Sequence, residues 1–272
     1  IASNLEKKVV KHLQELQNDN PEVYKEFFEA LGINIKFGIY NSYGEKNDLL
    51  KGLLMYKTLN SDSLISLEDY VREMKEGQKY IYYSAGNSII SIKKMPQVEK
   101  ILKSGYDVLC MTDNVDEFAI KYLGAYDQKQ FKNVADGDTG IENSQEVVSE
   151  EDKPILEFIK ESLEGEVFDV KLSKKLGEHP VCLMAEGEVS LEMEKVFRNM
   201  PTNDANNPNV RAKKVLEINA EHPVYAKIKS LYETDKEELK EVARVLLDES
   251  KLIEGLPIED TAKFVALITK FL

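Results

Sequence analysis

Residues 66–86, SLEDYVREMKEGQKYIYYSAG, place a helix signal directly before a strand signal. Ser66 is followed three positions later by Asp69, a capping-box pattern in which each side chain bonds the other residue's backbone N–H. Residues 79–84 (KYIYYS) are aromatic and β-branched, which favours a strand. The stretch therefore predicts a helix over 66–74 and a strand over 79–84.

The same alternation of helix and strand continues on both sides of this stretch. The further elements predicted are a helix over about 1–16, a helix over 20–31, strands over 53–58 and 107–111, helices over 97–103 and 116–123, and a strand over 131–134. Apolar strands separated by helices predict a small parallel sheet covered on both faces, an α/β/α subdomain. Because the helical pattern is already present at the first residue, we expect the chain to be a piece of a longer protein.

An acidic segment divides the chain. Residues 136–153 (DGDTGIENSQEVVSEEDK) carry seven acidic residues and one basic residue, with almost no apolar periodicity. This composition is typical of a solvated linker. We predict a first domain over 1–136, an acidic linker over 137–152 and a second domain over 153–272.

The linker also contains a calcium-like string, Asp136-Gly-Asp138-Thr-Gly140. Oxygen ligands at alternate positions resemble the start of a calcium-binding loop. Gly140 is one position early, however, and the fifth position has no ligand. A flexible acidic linker is therefore favoured over a calcium site.

The second domain is predicted to be a mixed α+β domain that ends in a helical hairpin. Its predicted elements are a helix over 153–163, strands over 167–172 and 181–185, and helices over 223–232, 239–254 and 258–272. Between them, residues 199–209 (NMPTNDANNPN) are rich in turn formers and predict a mobile loop. The fold class predicted for the whole chain is α/β followed by α+β.

Composition restricts the partners. The 272 residues are 42% hydrophobic and 31% charged, with a formal net charge of −13. Such a chain repels phosphate backbones and anionic membranes unless it has a concentrated basic patch, and its lysines are interleaved with glutamates. No run approaches the ~18 apolar residues that span a bilayer. We therefore expect no nucleic-acid partner and no membrane segment.

The two cysteines indicate a reducing compartment. Cys110 and Cys182 are far apart and lie in apolar surroundings, VLCMT and PVCLM. Such positions are typical of buried, reduced thiols. This favours a cytoplasmic location.

Common enzyme signatures are not found in the sequence. It contains no G-x-x-x-x-G-K-[ST], no G-x-G-x-x-G after a predicted strand and no H-E-x-x-H. No pair among His12, His179 and His222 has metal-ligand spacing, and His222 is expected to order the turn before a helix. We therefore predict no catalytic, cofactor-binding or metal-binding residues in this chain.

Four strings resemble the heat-shock protein 90 family of molecular chaperones. Residues 66–86 are similar to its middle-domain signature, SLxEYVxRMKEGQKxIYYITG. The others follow in family order: GYDVLCMTDNVDEF (105–118), with a D-E-aromatic motif at Asp116, Glu117 and Phe118; LEINAEHP (216–223); and LLDESKLIEGLPIED (246–260). The chain resembles the distal middle domain and the C-terminal dimerisation domain of the bacterial HtpG type.

The resemblance implies an ATP-driven parent protein. Family members bind ATP and Mg in a separate N-terminal domain that this chain does not contain, so the chain itself is expected to be neither ATP-binding nor an enzyme. One departure is Glu73, which stands where the family has arginine, with Arg72 one place earlier. Any contact that needs a guanidinium at that position is in doubt.

The last two helices predict a homodimer. Their apolar faces are broader than the roughly 100° stripe that a surface helix of a monomer needs. Two helices from each chain can then form a four-helix bundle. The predicted interface residues are Leu239, Val242, Leu246, Ile253, Val265, Leu267, Ile268 and Phe271. The residues leave open a hairpin folded onto its own domain, whereas the resemblance favours the dimer.

A methionine-containing amphipathic stretch predicts a client-binding surface. It comprises Leu191, Met193, Phe197 and Met200, and flexible methionines suit a surface that accepts unfolded or partly folded chains of varied sequence. The alternative is that this helix packs on the core. At the level of function, the alternative to a chaperone fragment is an α/β enzyme domain with an unrecognised active site on a dimer scaffold.

Overall fold

The computed structural model describes residues 2–136, 139–140, 149–174, 176–200 and 210–271. Most of the predicted acidic linker, including Asp138 of the calcium-like string, and residues 201–209 of the predicted loop lie outside these ranges. The chain divides into two compact units, Ile1–Ile92 with Ser104–Asn133, and Lys93–Lys103 with Val134–Leu272. Residues 93–103, predicted within the first domain, thus belong to the second unit.

The elements up to residue 133 are α1 (Ala2–Asp19), α2 (Pro21–Asn41), α3 (Asn47–Leu50), a 3₁₀ turn (Lys51–Leu53), β1 (Met55–Thr58), β2 (Ile65–Ser66), α4 (Leu67–Glu73), β3 (Tyr80–Ala85), α5 (Ile89–Lys93), α6 (Pro96–Lys103), β4 (Leu109–Met111), α7 (Asp116–Leu123), β5 (Ala125–Tyr126) and β6 (Lys129–Asn133). Those that follow are α8 (Lys153–Ser162), β7 (Asp169–Ser173), β8 (Val181–Glu186), α9 (Leu191–Asn199), β9 (Lys213–Asn219), α10 (Pro223–Thr234), α11 (Lys236–Ile253) and α12 (Thr261–Phe271). A mixed α/β architecture is therefore confirmed.

The capping box at the start of α4 forms as predicted. Ser66 Oγ accepts a hydrogen bond from the backbone N–H of Asp69 at 3.0 Å, and Asp69 Oδ2 accepts one from the backbone N–H of Ser66 at 3.3 Å. The helix ends at Glu73, which is exposed, and β3 follows after one turn. Local hydrogen bonding is sufficient to start this helix, which is why the sequence pattern located it.

The sheet of the first unit is mixed rather than parallel. Its strand order among the described residues is β2-β1-β4-β3-β6-β5, and only the central pairs β4–β3 and β3–β6 are parallel. β5 and β6 form a hairpin whose two turn residues, Asp127 and Gln128, have φ of 45° and 63°. A two-residue turn of this handedness joins antiparallel neighbours, so the prediction of an all-parallel sheet is wrong at the edges.

Both faces of this sheet are buried. Ile81, Leu109 and Met111 point into a core shared with α2 and α7, whereas Tyr82 and Cys110 point to the opposite face and are also buried. Alternate strand residues point to opposite faces, so burial of both sets requires cover on both sides. This burial on both faces is what the layering predicted from the sequence requires.

Helix α2 is ten residues longer than the predicted span, which ended at residue 31. Its buried positions continue at helical spacing past that point, through Ile35 and Ile39. Gly32 lies within this stretch because a Cβ there would be 2.6 Å from the Phe28 ring. Close packing of the Phe28 ring therefore requires glycine at this position.

The second unit contains a sheet of order β7-β9-β8 among the described residues. β9 is parallel to β7 and antiparallel to β8, and it is not among the strands predicted from the sequence. Val181 and Leu183 of β8 face the main core of this unit, whereas Cys182 and Met184 face a smaller apolar cluster. This sheet is therefore also covered on both sides.

The C-terminal end of the predicted linker is structured. Asp152 is only 7% exposed and accepts hydrogen bonds from Tyr225 Oη (2.6 Å) and Ser149 Oγ (2.7 Å), with Lys229 Nζ at 2.7 Å. Burial raises the pKa of this carboxyl, but the Lys229, Tyr225 and Ser149 contacts outweigh burial and hold it at about 2. The start of α8 is thereby fixed to α10.

Both cysteines are free and buried, as predicted. Burial raises the pKa of the Cys110 thiol to about 12 and that of Cys182 well above its ordinary value. Neither thiol is therefore ionised near neutral pH. None of the helices in the described ranges is long and apolar enough to cross a bilayer.

Candidate functional site

Helix α9 and its C-cap carry the four residues predicted to bind clients. It begins at an N-cap, where Ser190 Oγ accepts a hydrogen bond from Met193 N at 3.0 Å. Leu191 and Met193 are 3% and 6% exposed and face the interior. Phe197 is half-buried, and Met200, at the C-cap, is 36% exposed.

The exposed part of the predicted client surface is thus confined to the C-terminal end of α9. Leu191 belongs to the core of the second unit, where it could meet another protein only after local unfolding. Met193 is equally enclosed. The packing alternative therefore describes these two residues, and client binding by Phe197 and Met200 stays a prediction.

A buried carboxylate fixes α9 against β9. Glu194 is fully buried; its oxygens lie 2.7 Å from Arg198 Nη2 and 2.5 Å from Lys214 Nζ, and one accepts a hydrogen bond from Ala212 N at 2.9 Å. Burial lowers the pKa of Lys214, and the bonds to Glu194 oppose this effect. Because a buried charge needs several partners, the helix has one position relative to the strand.

A second buried carboxyl joins the end of α11 to α6 and β8. Glu254 is 6% exposed and accepts a hydrogen bond from Gln97 Nε2 at 2.9 Å; the same amide donates to the Leu183 carbonyl at 2.7 Å. Lys195 of α9 donates to the backbone carbonyl of Glu254 at 3.1 Å. Burial raises the Glu254 pKa to about 7, even though the Gln97 bond and the Lys195 charge lower it.

Helix α11 buries most of its predicted interface residues within its own chain. Leu239, Val242 and Leu246 are 0%, 6% and 4% exposed and belong to the core of the second unit. Near the end of the helix, Leu252 is 52% exposed and Ile253 is half-buried. The single chain therefore covers the apolar face of α11 except at its last turn.

Helix α12 leaves an apolar stripe uncovered. Leu267 is 7% exposed and Ile268 is half-buried, whereas Val265 is 60% exposed. Ala262 and Ala266 are exposed on the same side as Val265, at helical spacing. The stripe thus consists of small and β-branched side chains, over which another helix can approach closely.

Phe271, the last described residue of α12, packs against the core of its own unit. Lys227 Nζ lies 4.8 Å from the centre of its ring. Of the eight predicted dimer residues, Val265 is therefore the most exposed, Ile253, Ile268 and Phe271 are intermediate, and the other four are buried by this chain.

Helix α11 is also held by an internal charge cluster. Glu166 pairs with both Arg244 and Lys251, and Lys251 lies 3.8 Å from Asp248. Burial raises the Glu166 pKa, but hydrogen bonds from Lys251 and Arg244 outweigh it and leave the pKa below its ordinary value. These charges position the helix that carries Leu252 and Ile253.

In the first unit, the D-E-aromatic motif has a structural role. Asp116 and Glu117 are 1% and 3% exposed. Asp116 pairs with Lys36 Nζ at 2.7 Å, and Glu117 accepts a hydrogen bond from Asn133 Nδ2 at 2.8 Å. Burial raises the Asp116 pKa, although Lys36 opposes the effect. Lys36, which the sequence analysis missed, gave no local signal because its partners lie 77 and 80 positions away in the chain.

His222 and His12 have structural or surface positions. His222 is the N-cap of α10, where its Nδ1 accepts a hydrogen bond from Val224 N at 3.1 Å, as predicted from the turn. His12 is exposed and contacts Glu15. No group of three His, Cys, Asp or Glu side chains within the described ranges could hold a metal ion.

Asn219 anchors the turn within the LEINAEHP string. Its side-chain amide donates to the carbonyls of Gly177 and His179 at 3.0 and 2.9 Å, and its Oδ1 accepts from Glu221 N at 3.0 Å. The string is therefore the end of β9, a turn anchored by one asparagine, and the cap of α10.

Comparison with known proteins gives a consistent result. The family model described as Hsp90 protein matches residues 1–272. The chain is 44% identical over 277 aligned residues to Chaperone protein HtpG of Clostridium botulinum (strain Langeland), which covers 100% of this chain and 44% of that protein. It is 42% identical over 275 residues to Chaperone protein HtpG of Bacillus subtilis, covering 99% and 43%.

A third relative, Chaperone protein HtpG of Halalkalibacterium halodurans, is 42% identical over 268 residues, covering 97% of this chain and 42% of that protein. The chain therefore spans less than half the length of these curated relatives. The resemblance inferred from four short strings is confirmed along the whole chain, and the chain belongs to the Hsp90 protein family.

Proposed function

We propose that this chain is the part of a molecular chaperone that dimerises and contacts unfolded or partly folded client proteins. The observation that carries the proposal is the match to the Hsp90 family over residues 1–272. Relatives that match it are named chaperones. The proposal assigns dimerisation to the end of α11 with α12, and client contact to the end of α9.

The parent protein is proposed to bind and hydrolyse ATP with Mg in a region that this chain does not contain. The buried carboxylates of this chain are engaged in structural pairs, such as Glu194 with Arg198 and Lys214. The chain itself is proposed to be non-catalytic and, with its high-pKa buried thiols, to work in the cytoplasm.

Dimerisation is supported by the exposed stripe on α12. Val265 and Leu252 are 60% and 52% exposed, and Ala262 and Ala266 extend the apolar surface along α12. A two-fold contact places the same stripe of each copy against the other, so no additional complementary surface is needed. Dimerisation would be driven by the removal of these apolar side chains from water.

Client contact is supported by the chemistry of the end of α9. Met200 is exposed and Phe197 is half-buried, while Glu194 and Ser190 hold the helix rigidly. A flexible thioether and an aromatic ring on a fixed support can contact varied apolar segments. The formal net charge of −13 of the chain helps to keep a bound, partly unfolded protein in solution.

The test measures two properties of the same preparation. Light scattering over a range of concentrations should give a dimer, and the chain should suppress the aggregation of a heat-denatured test protein. A monomer at every concentration contradicts the dimer, and unchanged aggregation contradicts client binding. A small molecule that stays bound through purification and is turned over would instead favour the enzyme alternative.

A further inference from the structure

Strand β7 has one free edge. It is the outer strand of the sheet β7-β9-β8, and no strand among the described residues pairs with its other side. The carbonyl of Ser173 accepts a hydrogen bond from the N–H of Ala220, so the odd-numbered residues of β7 direct their backbone groups to β9. Val170 and Leu172 therefore direct theirs to the free edge.

This edge carries charged side chains. Asp169 Oδ1 accepts a hydrogen bond from the N–H of Val170 at 3.0 Å, and Lys171 follows one position later. Charged side chains on an edge strand normally prevent its pairing with unrelated strands. A second copy of the same strand is different, because its charges can be complementary.

Residues 168–172, FDVKL, are self-complementary about Val170. In an antiparallel pair of two copies centred on Val170, Asp169 of each copy lies opposite Lys171 of the other, and Phe168 lies opposite Leu172. Val170 would exchange backbone hydrogen bonds with its equivalent. Asp169 and Lys171 then form the type of cross-strand pair in which the side chains approach most closely.

Both charged side chains are accessible for this contact. The side chains of Asp169 and Lys171 are 37% and 44% exposed. In its own chain, Lys171 Nζ lies 2.5 Å from Glu186. The ion pairs of Asp169 in the described residues are longer, at 4.0 Å to Lys160 and 4.0 Å to Lys171. A lysine of a second copy can therefore approach Asp169 more closely than the lysines of its own chain do.

A pocket beside the edge can receive an apolar side chain of the second copy. It has a volume of about 560 Å³ and lies between the first turns of α8 and β7. Its apolar lining residues are Pro154, Leu156 and Val170, and its charged ones are Lys153, Glu157, Asp169 and Lys171. The charged residues comprise equal numbers of each sign, so the pocket has no excess charge.

Phe168 is the side chain that fits this pocket. It is 52% exposed, and in its own chain Lys213 Nζ lies 5.4 Å from the centre of its ring. Its position in the strand places it on the same face as Val170 and Leu172, which contact the core that α8 also covers. Opposite residues of an antiparallel pair share a face, so Phe168 of one copy comes to lie beside Leu172 of the other, on the α8 side.

We propose that β7 pairs antiparallel with β7 of a second copy of this chain. The contact is two-fold symmetric, so each ion pair and each Phe168 contact occurs twice. The Val170 N–H exchanges Asp169 Oδ1 for a carbonyl of the second copy, while Asp169 gains Lys171 of that copy. The surface is separate from α12 and does not depend on the proposed function.

The contact is small, so self-association through β7 is expected at chain concentrations of about 0.1–1 mM, above those needed for the α12 contact. Every sample is the 272-residue chain with Val265→Asp, which removes the α12 contact. Sedimentation over this concentration range should show a reversible dimer.

Paired cysteines test the register. A chain with Asp169→Cys is mixed with a chain with Lys171→Cys and mildly oxidised; the natural thiols, Cys110 and Cys182, are buried. The mixture should form the disulfide-linked dimer at least roughly fivefold faster than either chain alone, because only unlike positions lie opposite each other. A mixture of Lys7→Cys and Lys240→Cys chains, both changed at exposed positions outside β7, is the control.

Charge reversal tests the complementarity. Asp169→Lys places lysines opposite each other, and Lys171→Asp places carboxylates opposite each other, so each should abolish association in this range. Asp169→Lys/Lys171→Asp restores opposite charges in reversed order and should restore association. Thermal unfolding of each variant shows whether it is folded, and recovery in the double variant excludes misfolding as the cause.

Three outcomes overturn the proposal. They are a monomer up to about 1 mM, cross-linking no faster than in the control mixture, and a double variant that associates no better than the single ones. Capture of an unrelated extended peptide at this edge without self-association also contradicts it. The α12 contact is judged separately, on the chain without Val265→Asp at low concentration.

Discussion

The Nζ of Lys36 lies 2.7 Å from Oδ1 of Asp116, and the two side chains are 7% and 2% exposed. The same ammonium contacts Asp113 at 2.7 Å and lies 4.8 Å from the centre of the Tyr56 ring. One buried cation therefore joins α2, β1 and the start of α7. The aspartate of the D-E-aromatic motif is thus held by a buried ion pair.

Replacing Lys36 should destabilise the first unit strongly. Lys36→Met leaves Asp116 buried without its cation, and breaking a buried pair in this way costs about 3–5 kcal/mol of the free energy of unfolding. Lys36→Met/Asp116→Asn should recover part of that loss because no unpaired charge remains. Urea unfolding followed by circular dichroism measures both.

Lys11→Met is the matched control. Lys11 pairs with Glu15 at 3.7 Å, but the two side chains are 75% and 48% exposed. The same substitution there should cost less than about 1 kcal/mol. Equal effects at Lys11 and Lys36 would show that burial of the pair is unimportant.

Glu254 should make stability depend on pH near neutrality. Its pKa in the folded chain is about 7, against an ordinary 4.5, so between these values the folded state holds a proton that the unfolded state has lost. Its contribution is thus present below about pH 4.5 and falls as pH rises through 7. Glu254→Gln removes this titration. The free energy of unfolding of the variant should exceed that of the natural chain by about 1 kcal/mol near pH 5 and by about 3 kcal/mol near pH 8.

Denaturant unfolding at several pH values checks this difference. A difference between Glu254→Gln and the natural chain that stays constant with pH would mean that the buried carboxyl is not protonated near neutrality.

Substitution of the two methionines predicted to bind clients should have different effects on stability and on aggregation suppression. Met193→Ser removes a 6% exposed side chain and should cost about 2–5 kcal/mol. Met200→Ser, at a 36% exposed position, should leave stability within about 0.5 kcal/mol but weaken aggregation suppression. Leu5→Ser, at a 62% exposed position in the first unit, serves as control. Loss of suppression in the control would remove the special role of Met200.

Val265→Asp should convert the proposed dimer to a monomer without unfolding it. The side chain is 60% exposed in the single chain, so a carboxylate costs little there but is buried in the dimer. Light scattering should report half the mass of the natural chain. Val23→Asp, at a 43% exposed position on α2, should remain dimeric. A dimeric Val265→Asp variant would exclude this stripe from the interface.

Elements with local signals were predictable from sequence. Helix α7 has the predicted limits, Asp116–Leu123, and the caps at Ser66 and His222 form as the residue patterns indicated. Each of these depends on hydrogen bonds between residues close in the chain. The family resemblance likewise depends on order and identity of residues, and it holds over the full length.

Strand β9 shows where such reasoning fails. Its sequence, KKVLEIN, places charges beside apolar residues and gives no clear alternation, yet it is the central strand of its sheet. It is a strand because β7 and β8 pair with both of its edges. Contacts between distant segments overrode the weak local preference.

The sequence by itself determined the family, the helices with capping signals, and the apolar character of α11 and α12. Only the tertiary structure decided that Leu239, Val242 and Leu246 face the chain's own core, that Val265 does not, and that Lys36 pairs with Asp116. A residue pattern specifies which faces of a helix are apolar, but which of those faces meets a neighbour depends on long-range packing, because burial is shared among segments far apart in the chain.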